Sequence, residues 1–331
     1  MSTTKDFNIS RLRVAFTIWI LIYHSANQYF IQNPLFDIHV HEGLGFIRGI
    51  TIFVLQGFVF ISGILMARGF LLRGKYRDKV HFCIEKAKRL LIPYLIFGGA
   101  LLVLYPVSWE NVLCGAKHLW FLLMLFDVMM VAIIAMPSIE KTNKFMDVIV
   151  FLTIFIFSII GTMYGGMDLL RWKTTIVYLP PFFIGVYMVK YKIDEILLSM
   201  DFRKFNLLFF SVLVVATIFI VVPSLPFGTL YMYLPNYLLL PLLYVLLCRT
   251  FKKKETSAVV KSIDKNSLGI YILHNIVGKY TLFYYVPAFV SFYDKHCVLA
   301  PICLFAFMFP MAWLVSFMMQ KNKYTAMLIG S

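Results

Sequence analysis

An all-helical, polytopic membrane protein of about ten spans is the fold class this sequence predicts. Three observations carry it. Hydrophobic residues make up 61% of the chain and charged residues 14%, a balance that a water-soluble surface cannot hold without large exposed apolar patches. Apolar runs recur from residue 14 to residue 319 with no hydrophilic block long enough to fold separately. The basic residues gather between alternate runs, as orientation signals do. The expectation is one transmembrane domain over residues 1–331, with no appended soluble domain.

Apolar runs of roughly 16 to 25 residues match a hydrocarbon core ~30 Å thick, and they place helices near 12–30, 46–66, 90–107, 118–137, 145–163, 175–190, 206–223, 234–249, 266–289 and 298–319. The first contains His24 and lacks a small-x-small cleavage site before Asn33, so it reads as a retained helix and not a secretory signal. Between the runs, one side collects Lys5, Arg11 and Arg13, a basic loop at 67–89, Lys141 and Lys144, Lys190 to Lys204, Arg249 to Lys265, and Lys321 with Lys323. Only Arg48, Lys117, Arg171, Lys173, Lys279 and Lys295 lie elsewhere. The positive-inside rule then puts both termini in the cytoplasm, as an even count of spans requires. Tyr178-Leu179-Pro180-Pro181 and Leu234-Pro235-Asn236 are expected to mark helix starts or kinks.

The formal charge of +15 is accounted for by that orientation pattern. No nucleic-acid-binding module is visible, so membrane lipid and not nucleic acid is the expected partner. The five cysteines lack metal-ligand or redox spacing and read as apolar fillers, with no metal site; Cys114 and Cys297 share an expected external side, which leaves one disulfide open. No internal repeat supports a transporter built from duplicated halves.

An ionisable residue inside a span is costly, and functional by default. His24 is eleven residues after Arg13, which on an α-helix is three turns plus ~20° and a rise of ~16 Å, so both face the same way. A cation at the cytoplasmic mouth with an imidazole deep on the same stripe suits a long ligand with an anionic head and a reactive tail, the shape of acyl-CoA. Asp127 lies midway along the fourth run, where a structural ion pair and a substrate role are equally expected. His118 and Trp120 sit near its outer end, where the Trp fits an aromatic belt or sugar stacking. His274 lies deep in the ninth run. His39, His41, His81 and His296 fall in loops with no specific role.

Five segments together resemble the acyltransferase 3 family of membrane acyltransferases. Arg13 and His24 match its Arg, ten residues, His pattern on the first helix. Phe58-Val59-Phe60-Ile61-Ser62-Gly63-Ile64 is similar to its aromatic Ser-Gly segment, and Lys86-Ala87-Lys88-Arg89-Leu90-Leu91-Ile92-Pro93-Tyr94 to its basic entry into a Pro-Tyr helix. Lys117-His118-Leu119-Trp120-Phe121-Leu122 resembles its Leu-Trp-Phe-Leu signature, and Ser267 to His274 its late Ser-x-x-Ile-Tyr-x-x-His segment. One departure is that Lys86 and Arg89 stand where the family often has two arginines, which keeps the charge but removes one planar fork for phosphate.

The resemblance implies an integral protein of the inner, cytoplasmic membrane that takes acetyl-CoA as co-substrate, with no permanently bound cofactor. Its acceptor would be a hydroxyl of a cell-surface glycan or lipid-linked sugar. Arg89 and Lys86 are the expected CoA-phosphate contacts. An attacking hydroxyl must lose a proton to a group titrating near neutrality, and His24 is the candidate base, with Arg13 beside it. Ser62 is a candidate substrate contact, although a Ser-Gly step more often serves close helix packing. His118, Trp120, Asp127 and His274 complete the candidate acceptor contacts. A proton-coupled transporter of small molecules or lipids is the alternative, since an intramembrane His and Asp suit it too; a membrane sensor or assembly factor without catalysis is a third reading.

Overall fold

The computed structural model describes residues 7–29, 38–39, 45–105, 108–163, 167–221, 230–251 and 254–330. Lys5, Asn33, His41 and the ends of the runs expected at 12–30, 90–107 and 206–223 lie outside these residues or at their edge. Sixteen α-helices follow one another: α1 (Phe7–Ala26), α2 (Gly45–Ala67), α3 (Lys79–Lys86), α4 (Ile92–Leu104), α5 (Trp109–Leu113), α6 (Trp120–Lys141), α7 (Lys144–Met163), α8 (Trp172–Lys190), α9 (Ile193–Ser199), α10 (Phe202–Val221), α11 (Leu230–Phe251), α12 (Ala258–Leu273), α13 (Thr281–Tyr285), α14 (Pro287–Lys295), α15 (Leu299–Met319) and α16 (Lys323–Leu328). Among the described residues are three π-helical segments: Arg68–Leu72 extends α2, while Ala87–Leu91 joins α3 to α4 and His274–Tyr280 joins α12 to α13 without a break.

Within the described residues the expected apolar runs fall mainly on helix, but the one expected at 266–289 is broken at Val286, between α13 and α14. Among the described residues, five helical stretches are long and apolar enough to cross a membrane: Ile47–Leu72, Lys79–Leu104, Trp109–Lys141, Lys144–Met163 and Leu299–Met319. A sixth is the pair Leu169–Lys190 and Ile193–Ser199, bent by 70° at its break. The first and ninth runs are not in this group, and the reason is chemical. Asn8, Ser10, Arg11, Arg13 and His24 interrupt α1, and Asp264, Asn266, His274 and Lys279 interrupt residues 258–285.

Two sequence expectations need correction. The basic segment 67–89 is mostly helical, and His81 is in α3, not in a loop. Of the two expectations for Pro180, Pro181 and Pro235, helix start is excluded, since they lie within α8 and α11, and kink is the one that stands. All five cysteines are free.

The chain forms two compact units. One comprises residues 1–9, 55–87 and 121–255; the other comprises 10–54, 88–120 and 256–331. In the first, α2 and α8 approach backbone to backbone: a methyl group on Gly63 would overlap the Phe182 carbonyl, and one on Gly185 the Phe60 carbonyl. Glycine permits that contact because it has no Cβ. Nearby, Lys190 donates to the carboxylate of Asp147, which also accepts from Thr142 and Tyr191. Arg249 donates to the carbonyls of Leu197 and Met200, 2.7 and 2.6 Å away, closing the end of α9.

The second unit is braced around the end of α1. Tyr29 stacks on Tyr293 with ring centroids 4.4 Å apart; each hydroxyl is bound to a carbonyl, Tyr29 to that of Tyr293 and Tyr293 to that of Ser25. Trp19 Nε1 donates to Thr51 Oγ1 at 3.1 Å, tying α1 to the start of α2. α12 packs on α15, where Ser316 donates to Asn266 at 2.9 Å and Gly269 leaves room for the Ser316 side chain. These contacts tie the end of α1 to α14 and to the start of α2, and α12 to α15.

Candidate active site

Arg13 and His24 are both on the uninterrupted helix α1, so the same-face arithmetic stands. Arg13 is not a lone cation at a mouth, however. Its Nη2 lies 2.7 and 2.9 Å from the two carboxylate oxygens of Asp264, which is buried and also accepts from Ser10 at 2.8 Å. The pair bridges α1 and α12, its members 251 positions apart in the chain.

Eleven residues on, His24 meets two other imidazoles. Its ring centroid lies 4.8 Å from that of His274 and 6.3 Å from that of His118, and those two are 5.1 Å apart. Each comes from a locally unusual backbone. Gly115, Ala116 and Lys117 have consecutive positive φ of 111°, 46° and 57°, a left-handed entry that non-glycine residues adopt at a cost. It swings the 3₁₀ turn Lys117–Leu119 inward, so that His118 is buried. His274 opens the π-helical segment.

The hydrogen bonds fix the ring hydrogens. A carbonyl only accepts, so a ring nitrogen facing one must be protonated. His118 Nε2 lies 2.9 Å from the Ile272 carbonyl and His274 Nδ1 lies 2.6 Å from the Tyr271 carbonyl. The opposite nitrogens, His118 Nδ1 and His274 Nε2, are therefore lone pairs, and both are buried without a hydrogen-bond partner. An ammonium only donates, so Lys279 fixes the Asn27 amide in the same way. Lys279 Nζ donates to Asn27 Oδ1, which turns the Asn27 amide nitrogen toward His24 Nδ1, 3.4 Å away. Neutral His24 then carries its hydrogen on Nε2 and its lone pair on Nδ1.

The π-helical segment explains why this works locally. Widening the turn from i→i+4 to i→i+5 turns Lys279 back toward the side of His274, where an α-helix would set them ~140° apart. In the last turn of α12 and within the segment, the carbonyls of Ile270, Tyr271, Ile272 and Ile276 accept hydrogen bonds from side chains: His274, His118, Tyr105 and Thr281. π-bulges recur at functional sites for this kind of reason.

The other expected site residues are placed as follows. Arg89 is exposed on the π-helical turn before α4, with the α16 end at Gly330 against its carbonyl. Trp120 is half-buried at the start of α6, beside His118 in sequence. Ser62, Lys86 and Asp127 belong to the first unit. The Ser62 hydroxyl donates to the Phe58 carbonyl at 2.9 Å, within its own helix, and is next to the close-packed Gly63, which favours the packing role. Lys86 Nζ lies over the rings of Phe82 and Tyr76, 5.2 and 5.8 Å from their centroids. Asp127 is half-buried, with the Thr175 hydroxyl 3.5 Å away. Among the described residues, no group of three His, Cys, Asp or Glu is placed to hold a metal ion.

A family model described as an acyltransferase domain matches residues 7–321, nearly the whole chain. The chain belongs to the acyltransferase 3 family. No curated protein and no solved structure matches it. For a membrane acyltransferase, the histidine cluster is a chemically apt centre, because acyl transfer to a nucleophile needs a proton acceptor in a site shielded from water. Sequence reading of this acyltransferase missed Asp264, Asn27 and Lys279. Asp264 lies at the edge of a basic run that reads as cytoplasmic, and Lys279 reads as an ordinary outer-face charge.

Proposed function

We propose that this acyltransferase moves an acetyl-type group from cytoplasmic acyl-CoA to a hydroxyl of a cell-envelope glycan or lipid-linked sugar, with His24 as general base. The observation that carries this reading is the pair of buried, unpartnered lone pairs beside His24, on His118 Nδ1 and His274 Nε2, with the His24 Nδ1 lone pair facing the Asn27 amide. The two unpartnered nitrogens lack a hydrogen donor. A hydroxyl supplies one, and the reacting end of a thioester has none.

In the step itself, the acceptor hydroxyl replaces the Asn27 amide at His24 Nδ1, and its oxygen attacks the thioester carbonyl carbon while its proton passes to that nitrogen. The C–O bond forms and the carbonyl π pair moves to oxygen. Collapse of that intermediate restores the carbonyl, breaks the C–S bond with its pair on sulfur, and returns the proton to the thiolate. His118, His274 and Trp120 are proposed acceptor contacts, together with Asp127 and, less directly, Ser62. Arg89 and Lys86 on the basic segment are proposed for the CoA phosphates, and Arg13 is proposed to act with His24. About ten spans with both termini in the cytoplasm of the inner membrane complete the reading.

The test is incubation of purified protein with labelled acetyl-CoA and a panel of envelope glycans. His24→Ala is expected to lower transfer by ~10²- to 10⁴-fold, the worth of a general base, while the protein remains folded and inserted. Near-normal turnover in that variant would refute the assignment of His24. Sealed vesicles of known orientation add sidedness: acetyl-CoA on the cytoplasmic face should acylate an impermeant glycan on the other.

A further inference from the structure

Lys279 is 3% exposed, and among the described residues no carboxylate pairs with it. Its contacts are the Asn27 side-chain oxygen and the face of Phe283, whose centroid is 5.9 Å from Nζ. The contrast within the same chain is informative: part-buried Lys190 has Asp147, and Arg13 has Asp264. An ammonium withdrawn from water without a counter-charge is costly, and inside a membrane protein it marks a functional site. The position suggests what the missing charge is. Asn27 joins Lys279 to His24 Nδ1, so the ammonium is one carboxamide away from the nitrogen proposed to take the hydroxyl proton.

We propose that Lys279 is a catalytic residue, whose ammonium binds the thioester carbonyl oxygen and holds the oxyanion formed when the acceptor hydroxyl attacks. The inference rests on the acyl-CoA reading above and adds to it the electrophilic half of the centre. In the resting site, Asn27 Oδ1 occupies the ammonium. When the thioester is seated, its carbonyl oxygen takes up one of the three N–H donors of Lys279. As the hydroxyl oxygen bonds to carbon, the π pair moves onto that oxygen, and the negative charge develops beside the one buried positive charge of the cluster. The hydroxyl proton goes to His24. On collapse the pair returns to carbon, the C–S bond breaks, and Lys279 is released unchanged. A preorganised donor acts most strongly in a water-excluded site, because nothing has to reorient as the charge appears.

The experiment compares wild type with Lys279→Met and Lys279→Arg in turnover and in binding of two coenzyme A derivatives. Acetyl-CoA is neutral at the acyl end; S-carboxymethyl-CoA carries a permanent carboxylate there. Lys279→Met is expected to lower kcat by ~10²- to 10³-fold, as loss of an oxyanion donor does. It should weaken S-carboxymethyl-CoA by roughly 10- to 100-fold, the worth of a charge-assisted hydrogen bond, and leave acetyl-CoA within about threefold. Lys279→Arg keeps the charge, so it should retain the preference for the carboxylate and carries the comparison with wild type if Lys279→Met does not fold. The proposal is overturned if Lys279→Met turns over within threefold of wild type, if it weakens both derivatives equally, or if folded Lys279→Arg loses the preference. Failure of the acyl-CoA reading is distinguishable, because the wild-type protein would then bind neither derivative, and the proposal would fall with it.

Discussion

The Arg13–Asp264 pair should respond asymmetrically to removal of one partner. The carboxylate is 2% exposed and the guanidinium 27%. Arg13→Gln takes the guanidinium away from a buried carboxylate and should cost about 3–5 kcal/mol. Asp264→Asn instead leaves a cation that already reaches solvent and can rehydrate. Its cost should be about 1.5–3 kcal/mol, the worth of hydrogen bonds to a charged group. The double variant removes both the pair and the stranded charge, so the two single effects should not add, and a coupling of at least ~1.5 kcal/mol is expected where independent sites agree within ~0.5. The assay is reversible unfolding in mixed micelles followed by tryptophan fluorescence, at matched detergent and salt. Additivity within 0.5 kcal/mol, or a larger loss for Asp264→Asn than for Arg13→Gln, would refute the pairing as the bond that holds α1 to α12.

Other expectations follow from contacts in the two units. Lys190→Met leaves the buried Asp147 carboxylate without its cation and should lower stability by about 3–5 kcal/mol, whereas Arg77→Met, which breaks the more exposed Arg77–Glu140 pair at 2.7 Å, should shift the unfolding midpoint much less. Reversing that order would place the determining charge pair elsewhere. Gly63→Ala and Gly185→Ala each drive a methyl into a carbonyl across the α2–α8 crossing and should cost about 1–3 kcal/mol. Gly99→Ala, where nothing lies within 4 Å of the added methyl, serves as the control and should be neutral or stabilising. Asn27→Ala removes the link between Lys279 and His24; it is expected to reduce turnover while leaving acetyl-CoA affinity within about threefold, as loss of a transition-state-only interaction does.

Much of this was legible in the sequence because it is local. Apolar run length located the helices, and a separation of eleven residues on one unbroken helix put Arg13 and His24 on a single face. What stayed hidden involves partners far apart in the chain. Asn27 and Lys279 are 252 residues apart, and no periodicity links them. Asp264 sits among Lys261 and Lys265, where charge counting by loop treats it as solvated. Lys279 was misplaced for a geometric reason: with ~100° per residue, His274 and Lys279 point in different directions, and only the wider turn aligns them. The left-handed run at Gly115–Lys117 was equally silent, since Ala and Lys carry no signal for positive φ.

The π-helical segment makes the centre sensitive to chain length as well as to side-chain identity. A π turn amounts to a single-residue insertion in an α-helix, and here Gly278 packs directly against Met308 on α15, with no room for the segment to rewind in place. Deleting Val277 would let residues 274–280 return to an α-helix without losing any polar group named here. The deletion would leave His274 and Lys279 four positions apart on one face of an α-helix, so Lys279 would stay near Asn27, but the carbonyls that orient His118 and His274 would be drawn back into the helix ladder. Such a protein would keep every site residue and still lose the acceptors that fix its imidazoles. The reactive arrangement is thus stored partly in the backbone, and a missing residue at this point in a related chain predicts loss of activity even where Arg13, His24, His118 and His274 are all present.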